Sequence, residues 1–110
     1  MGMDERGGGR PKYGYGHGAR PLFTARDRDA EVIRRVLRKA GCREFGGAEG
    51  GFAVEGGRGE APFLVASTLA VRTEPQLSLY REVLTGAGMR VEPDPDDSKT
   101  LLVWVPKSAT

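Results

Sequence analysis

The chain has 110 residues, enough for one small domain and too few for a second independent core. Its 17 Lys and Arg against 15 Asp and Glu leave a net charge of +2, which excludes a histone-like polycation. With one His and one Cys, the composition also excludes a metal site built from several His and Cys ligands, and Cys42 alone cannot form an intramolecular disulfide. No segment approaches the roughly 20 apolar residues that span a bilayer, and the start lacks the apolar core of a signal peptide. We therefore expect a cytoplasmic protein with no membrane partner.

Residues 1–19 predict a flexible basic tail, and residues 20–107 predict a single α+β domain. The tail contains seven Gly and almost no aliphatic side chains, so it cannot bury enough surface to offset the entropy of ordering the chain. At the start of the domain, residues 20–23 predict a short strand, which Pro21 restricts to a strand start or a sheet edge.

The first predicted helix begins at Thr24, where Thr24 and Asp27 match a capping box, and it ends near Ala40 with Gly41 as the stop. At 100° per residue its apolar face consists of Ala30, Ile33, Val36, Leu37 and Ala40. The opposite arc consists of Arg28, Arg34, Arg35, Arg38 and Lys39. Glu31 lies among these cations, and we expect it to pair with Arg34 or Arg35.

Strands and glycine-rich turns follow the first helix. Residues 42–45 and 52–55 predict a hairpin around the glycines of 46–51, and residues 62–71 predict the longest strand. A second helix begins at the capping box of Thr73 and ends at Gly86 or Gly88. Residues 89–92 and 100–105 predict a closing hairpin, since residues 93–98 between them are rich in turn formers.

Residues 33–43 align with residues 80–90 at an offset of 47, with six identical pairs, which indicates a possible internal repeat. The predicted order is therefore β-α-β-β-β-α-β-β. This order favours an α+β two-layer sandwich in which two helices lie on a mainly antiparallel sheet. The order is similar to that of ferredoxin-like sandwiches, a similarity of fold that implies no particular function.

Templates for enzymatic chemistry are not found in the sequence, so we expect a non-enzymatic protein with no catalytic residue, no cofactor and no metal. There is no phosphate-binding P-loop, and the glycine clusters are typical of hairpin turns. His17 falls in the predicted tail while Cys42 opens a strand, which disfavours a nucleophile and base pair. The acidic turn at 94–98 has neither the Gly nor the distal Glu of a calcium loop.

Two basic features predict contact with nucleic acid. The arm before the domain offers cations for phosphates and aromatic rings for bases, and the first helix offers four cations one turn apart on one surface. The predicted contact residues are Arg10, Lys12, Tyr13, Tyr15, Arg20, Arg34, Arg35, Arg38 and Lys39. A solubilising tail and an ordinary solvent-exposed helix face remain the alternatives.

The last predicted strand suggests a different function, that of a protein-interaction or regulatory module. This strand is apolar on both faces, and one layer of helices can cover only one of them. Leu102 and Trp104 lie on the second face, which predicts an interface covered by a second copy or by the rest of the chain. A third hypothesis, an enzyme or small-molecule binder, requires a deep pocket with converging carboxylates.

Overall fold

The computed structural model describes residues 10–46, 50–56, 61–68 and 73–106 of the chain. The α-helices and strands are α1 (Ala25–Lys39), β1 (Phe52–Glu55), β2 (Phe63–Ser67), α2 (Thr73–Gly86), β3 (Arg90–Pro93) and β4 (Thr100–Trp104), and a short 3-10 turn, His17–Ala19, precedes them. The strands form one sheet in the order β1-β2-β4-β3, and every neighbouring pair is antiparallel. The predicted α+β class, with two helices and an antiparallel sheet, is therefore confirmed.

Both ends of α1 lie where the sequence predicts them. The Asp27 N–H donates to Thr24 Oγ1 at 3.0 Å and the Asp27 carboxylate accepts the Thr24 N–H at 3.2 Å, which completes the capping box. At the other end, Gly41 has φ of 92°, a left-handed conformation that stops the helix.

The two helices end in the same way, at positions related by the offset of 47. Gly88 after α2 has φ of 91°, matching Gly41. The next residue then donates its N–H back to the helix, from Cys42 to Leu37 at 3.0 Å and from Met89 to Leu84 at 3.1 Å. The sequence repeat thus corresponds to the same capping geometry after each helix.

Both helices pack on one face of the sheet, which we call the inner face. Successive side chains of a strand alternate between faces, and the buried apolar ones belong to the inner face. The core that they form with the helices contains Ala30, Ile33, Leu37, Cys42, Phe52, Phe63, Val65, Tyr80, Leu84, Met89, Leu101 and Val103. Within it, Phe52 and Tyr80 meet edge to face with ring centroids 6.1 Å apart.

Two short segments that predict strands pair only through isolated bridges. Residues 20–23 pair with the chain just before them through the bridge between Tyr15 and Pro21. This bridge does not extend into a ladder, because Pro21 has no N–H to donate. Glu44, in the predicted strand 42–45, forms a single parallel bridge with Phe52 of β1. Of the predicted strand 62–71, residues 63–67 form β2 and residues 69–71 lie outside the described part of the chain.

Candidate functional site

Residues 10–20 form a folded loop, which we call the N-terminal loop. Its backbone pairs with residue 22 in both directions, since the Tyr13 N–H donates to Leu22 O and the Leu22 N–H donates to Gly14 O, both at 2.9 Å. Gly14 and Gly18 supply the positive φ values, 80° and 69°, on which its turns depend. The flexible tail predicted for residues 1–19 thus divides: residues 1–9 lie outside the described residues, and residues 10–19 are hydrogen-bonded.

Glu31 of α1 anchors this loop, although its carboxylate is buried. The His17 N–H donates to it at 3.1 Å, and Arg20 and Arg38 donate at 3.0 and 2.9 Å. Arg34 approaches the same carboxylate at 3.4 Å, which confirms the pair expected on α1. Glu31, Arg34 and Arg38 lie on one stripe of the helix. The loop contributes the other two donors, the His17 N–H and the Arg20 guanidinium.

Glu44, after α1, holds the same arginines from the other side. Its carboxylate accepts from Arg20 at 2.9 Å and from Arg38 at 3.0 Å, and it lies 3.7 Å from Arg34. We call the five side chains Arg20, Glu31, Arg34, Arg38 and Glu44 the arginine–glutamate cluster. Three guanidinium groups and two carboxylates leave the cluster with one excess positive charge.

The cluster keeps Glu31 ionised. Burial by itself raises the pKa of Glu31, but the His17 N–H and the charges of Arg38 and Arg20 outweigh burial and hold the pKa at about 2, against an ordinary 4.5. The pKa of Arg34 is lowered by burial and by neighbouring Arg20, while both carboxylates act in the opposite direction. Arg34 remains charged because guanidinium groups titrate far above neutral pH.

The cluster changes the role of three predicted contact residues. The sequence pattern assigns Arg20, Arg34 and Arg38 to an open cationic surface, whereas the structure directs their guanidinium groups at Glu31 and Glu44. A buried carboxylate needs charged donors around it, and these three side chains supply them. They therefore fasten the N-terminal loop to α1.

Four of the predicted cations remain exposed, namely Arg10, Lys12, Arg35 and Lys39. Arg28, Arg35 and Lys39 share one stripe of α1, seven and four residues apart, on the side that faces solvent. The N-terminal loop lies along the same helix, because Tyr13 is 5.0 Å from the Arg28 guanidinium and residues 16–17 contact Glu31. We use the term basic surface for the N-terminal loop, with its exposed Arg10 and Lys12, together with the exposed Arg35 and Lys39 of α1.

The predicted aromatic residues differ in their surroundings. Tyr13 is half-buried between two cations, with Lys12 at 5.6 Å and Arg28 at 5.0 Å from its ring. Tyr15 is 63% exposed, so its ring is accessible from solvent. Phe45, which is not among the predicted contact residues, is 53% exposed and directly follows Glu44 of the cluster.

The face of the sheet opposite the helices, which we call the outer face, carries Leu102 and Trp104, as the sequence predicts. Both side chains are half-buried, and Leu102 pairs across the strands with Leu64. Arg90 lies over the Trp104 ring at 4.3 Å and donates to Glu92 at 2.6 Å. In the described part of the chain, both helices pack on the inner face and no helix covers this one.

Chemically reactive groups are sparse in the described residues. Burial raises the pKa of the Cys42 thiol, which disfavours the nucleophilic thiolate. No group of three or more His, Cys, Asp or Glu in residues 10–46, 50–56, 61–68 and 73–106 is arranged to hold a metal ion. Across the same ranges, no helix is both long and apolar enough to cross a membrane.

Helical spacing predicts Glu31 as a salt-bridge partner, but it does not reveal that Glu31 and Glu44 together bind three arginines. The part of the cluster that lies on α1 could have been predicted, because residues 31, 34 and 38 are three and four residues apart and share one face of the helix. Glu44 and Arg20 reach the cluster only through the tertiary fold, so spacing in the sequence does not reveal them.

Comparison with protein-family models, with curated proteins and with solved structures finds no match to this chain.

Proposed function

We propose that the chain is a small non-enzymatic protein that binds single-stranded nucleic acid on the basic surface. The exposed cations Arg35 and Lys39 contact phosphates along α1, Arg10 and Lys12 contact phosphates along the N-terminal loop, and Tyr15 stacks on a base. The supporting observation is the docking of the loop on α1 through Glu31, which brings the loop alongside the helix that carries the exposed Arg35 and Lys39.

Charge distribution supports a polyanionic ligand at this end of the molecule. Residues 10–46 carry ten Lys and Arg against four Asp and Glu, whereas residues 73–106 carry three against six. The carboxylates in the first range include Glu31 and Glu44, whose charges the cluster already balances. A phosphate chain is therefore attracted to the basic surface and repelled from the second half of the chain.

The arginine–glutamate cluster prepares this surface without contacting the ligand in the proposed mechanism. Its ion pairs hold the loop against α1 before binding, so the entropy of ordering the loop is not lost again in the complex. The excess positive charge of the cluster adds to the attraction between the surface and phosphate groups. The exposed Tyr15 ring then favours unstacked bases, which single strands offer and duplexes do not.

Fluorescence anisotropy with labelled single-stranded and double-stranded oligonucleotides tests this proposal. Four phosphate contacts give a slope of log affinity against log salt of about −3 for single strands, since each contributes about −0.7. The double variant Arg35→Ala, Lys39→Ala should weaken binding and reduce the slope to about −1.4.

The matched control is Arg81→Ala, Lys99→Ala, which removes the same charge from exposed positions in the second half of the chain. It should bind within about twofold of the wild type, because neither residue lies on the basic surface. Equal losses in the two double variants would show that net charge alone drives association. Absence of binding at low salt would refute the proposed function.

A further inference from the structure

We propose that a second copy of this chain covers the outer face, related by a two-fold axis that runs between the two sheets and across the strands. This surface is separate from the basic surface, so the inference does not depend on nucleic-acid binding. It starts from the arrangement of side chains along the outer face, where the two ends differ in charge and in shape.

At one end of the outer face lie Trp104 and Arg90, whose charge is paired with that of Glu92. Trp104 and Arg90 are paired across the strands, and the Arg90 guanidinium lies 4.3 Å above the indole ring. Arg90 donates to Glu92 from Nε at 2.8 Å and from Nη2 at 2.6 Å. Its Nη1 group has no hydrogen-bond partner among the described residues, so it is free to donate to a carboxylate outside the molecule.

At the other end lies a recess of about 240 Å³ with a negative rim. Its floor consists of small side chains, since Ala53 and Ala66 pair across the strands there. Asp94 and Asp97 line its edge. Both oxygens of Asp97 accept hydrogen bonds, from the Lys99 N–H and the Thr100 hydroxyl, while Asp94 keeps one carboxylate oxygen without a partner among the described residues.

The proposed axis brings the two unlike ends together. A rotation about an axis across the strands reverses the strand direction and keeps each strand opposite its own counterpart in the other copy. Trp104 of one copy then lies over the recess of the other, and Arg90 of one copy faces Asp94 of the other. Leu64 and Leu102, which occupy the middle row of the face, meet their equivalents at the centre.

Two pairs of like carboxylates lie near this axis. The two Glu92 side chains approach each other, each held by the Arg90 of its own copy, and the two exposed Glu55 side chains approach each other at the β1 edge. Rotation about an axis parallel to the strands would instead place Glu55 opposite Glu92, without bringing Arg90 to Asp94. Both orientations oppose carboxylates in the middle row, but only the first pairs Arg90 with Asp94, and this contact selects a second copy in the first orientation as the occupant.

The size of the outer face sets the expected affinity. Four strands spaced about 4.8 Å apart, each about five residues long, present a face of roughly 15 by 16 Å. This is small beside the roughly 800 Å² per partner of standard interfaces, so we expect a weak dimer whose dissociation constant is micromolar or weaker.

Charge reversal at the two ends tests the orientation. In a dimer of Arg90→Glu, the new carboxylate of each copy would face Asp94 of the other. In a dimer of Asp94→Arg, the new guanidinium of each copy would face Arg90 of the other. Each variant alone should therefore be monomeric. An equimolar mixture should form a heterodimer, because both of its contacts then join opposite charges. One contact is the native pair of Arg90 with Asp94. The other joins the introduced carboxylate at position 90 to the introduced guanidinium at position 94.

Sedimentation-equilibrium centrifugation over about 10 to 500 µM measures these states, because this range spans a micromolar dissociation constant. The matched control Arg35→Glu makes the same charge change on the helical side and should dimerise like the wild type. Circular dichroism confirms that each variant is folded, and Trp104→Ser gives a second loss of dimer that does not depend on charge. A wild-type monomer at the highest concentration would overturn the proposal, as would a mixture of the two reversed variants that stays monomeric.

Discussion

Replacing Glu31 by Gln should destabilise the folded protein strongly, because it removes one of the two carboxylates that balance three guanidinium groups. The pKa of Glu31 falls from an ordinary 4.5 to about 2 in the folded state. At 1.36 kcal/mol per pKa unit, the ionised carboxylate contributes about 3 kcal/mol to the free energy of unfolding at neutral pH. Loss of one partner from a buried ion pair usually costs about 3 to 5 kcal/mol, which agrees.

The same linkage predicts how the loss depends on pH. Because the folded-state pKa of Glu31 is depressed, its contribution is complete above pH 4.5 and disappears as pH falls through about 2. The difference between wild type and Glu31→Gln should therefore decrease from about 3 kcal/mol at pH 7 to about 1.4 kcal/mol at pH 3.

Urea unfolding of both proteins at several pH values, followed by circular dichroism, measures this difference. Glu92→Gln is the control, since it removes a charge from the exposed pair with Arg90 and should cost less than about 1 kcal/mol. A loss below about 1 kcal/mol for Glu31→Gln at pH 7, or a loss that does not change between pH 7 and pH 3, would refute the proposed energetic role of the cluster.

Three further predictions follow from particular contacts. Gly16→Ala places a Cβ 2.5 Å from Glu31 Cδ, so it should weaken loop docking by about 1 to 3 kcal/mol and speed tryptic cleavage within residues 10–20. Gly41→Ala and Gly88→Ala should each lower stability by about 1 to 2 kcal/mol in thermal unfolding because of their positive φ, whereas Gly86→Ala, with open space around it, should not. The Cys42 thiol should react with iodoacetamide at least about tenfold more slowly in the folded protein than in urea, since burial raises its pKa.

Local patterns in the sequence account for most of the fold. The capping box at Thr24 and Asp27 and the stop at Gly41 are determined by interactions within a few residues, and both are predicted from sequence alone. The helices, the closing hairpin and the two-layer class also follow from periodicity and turn residues. The failures concern residues 20–23 and 42–45, which form isolated bridges with neighbouring stretches of chain instead of strands of the sheet.

The candidate site is less accessible to sequence reasoning than the fold. The pattern of α1 identifies its cations, but it does not distinguish Arg35 and Lys39, which are exposed, from Arg34 and Arg38, which bind carboxylates. That distinction depends on where Glu44 and the N-terminal loop pack. Compositional reasoning also treats the glycine-rich segment as flexible, although hydrogen bonds to Glu31 and Leu22 hold residues 10–19 in a defined loop.

A titration of isotopically labelled protein with a single-stranded oligonucleotide, followed by amide chemical shifts in two-dimensional NMR, tests whether the basic surface binds nucleic acid. We expect the largest shifts at residues 12–19 and around Arg35 and Lys39, and we expect them to decrease as salt rises. The amides of β2 and β4 that flank Leu64 and Leu102 should change little. Absence of shifts at low salt, or shifts concentrated on the outer face, would contradict binding at the basic surface.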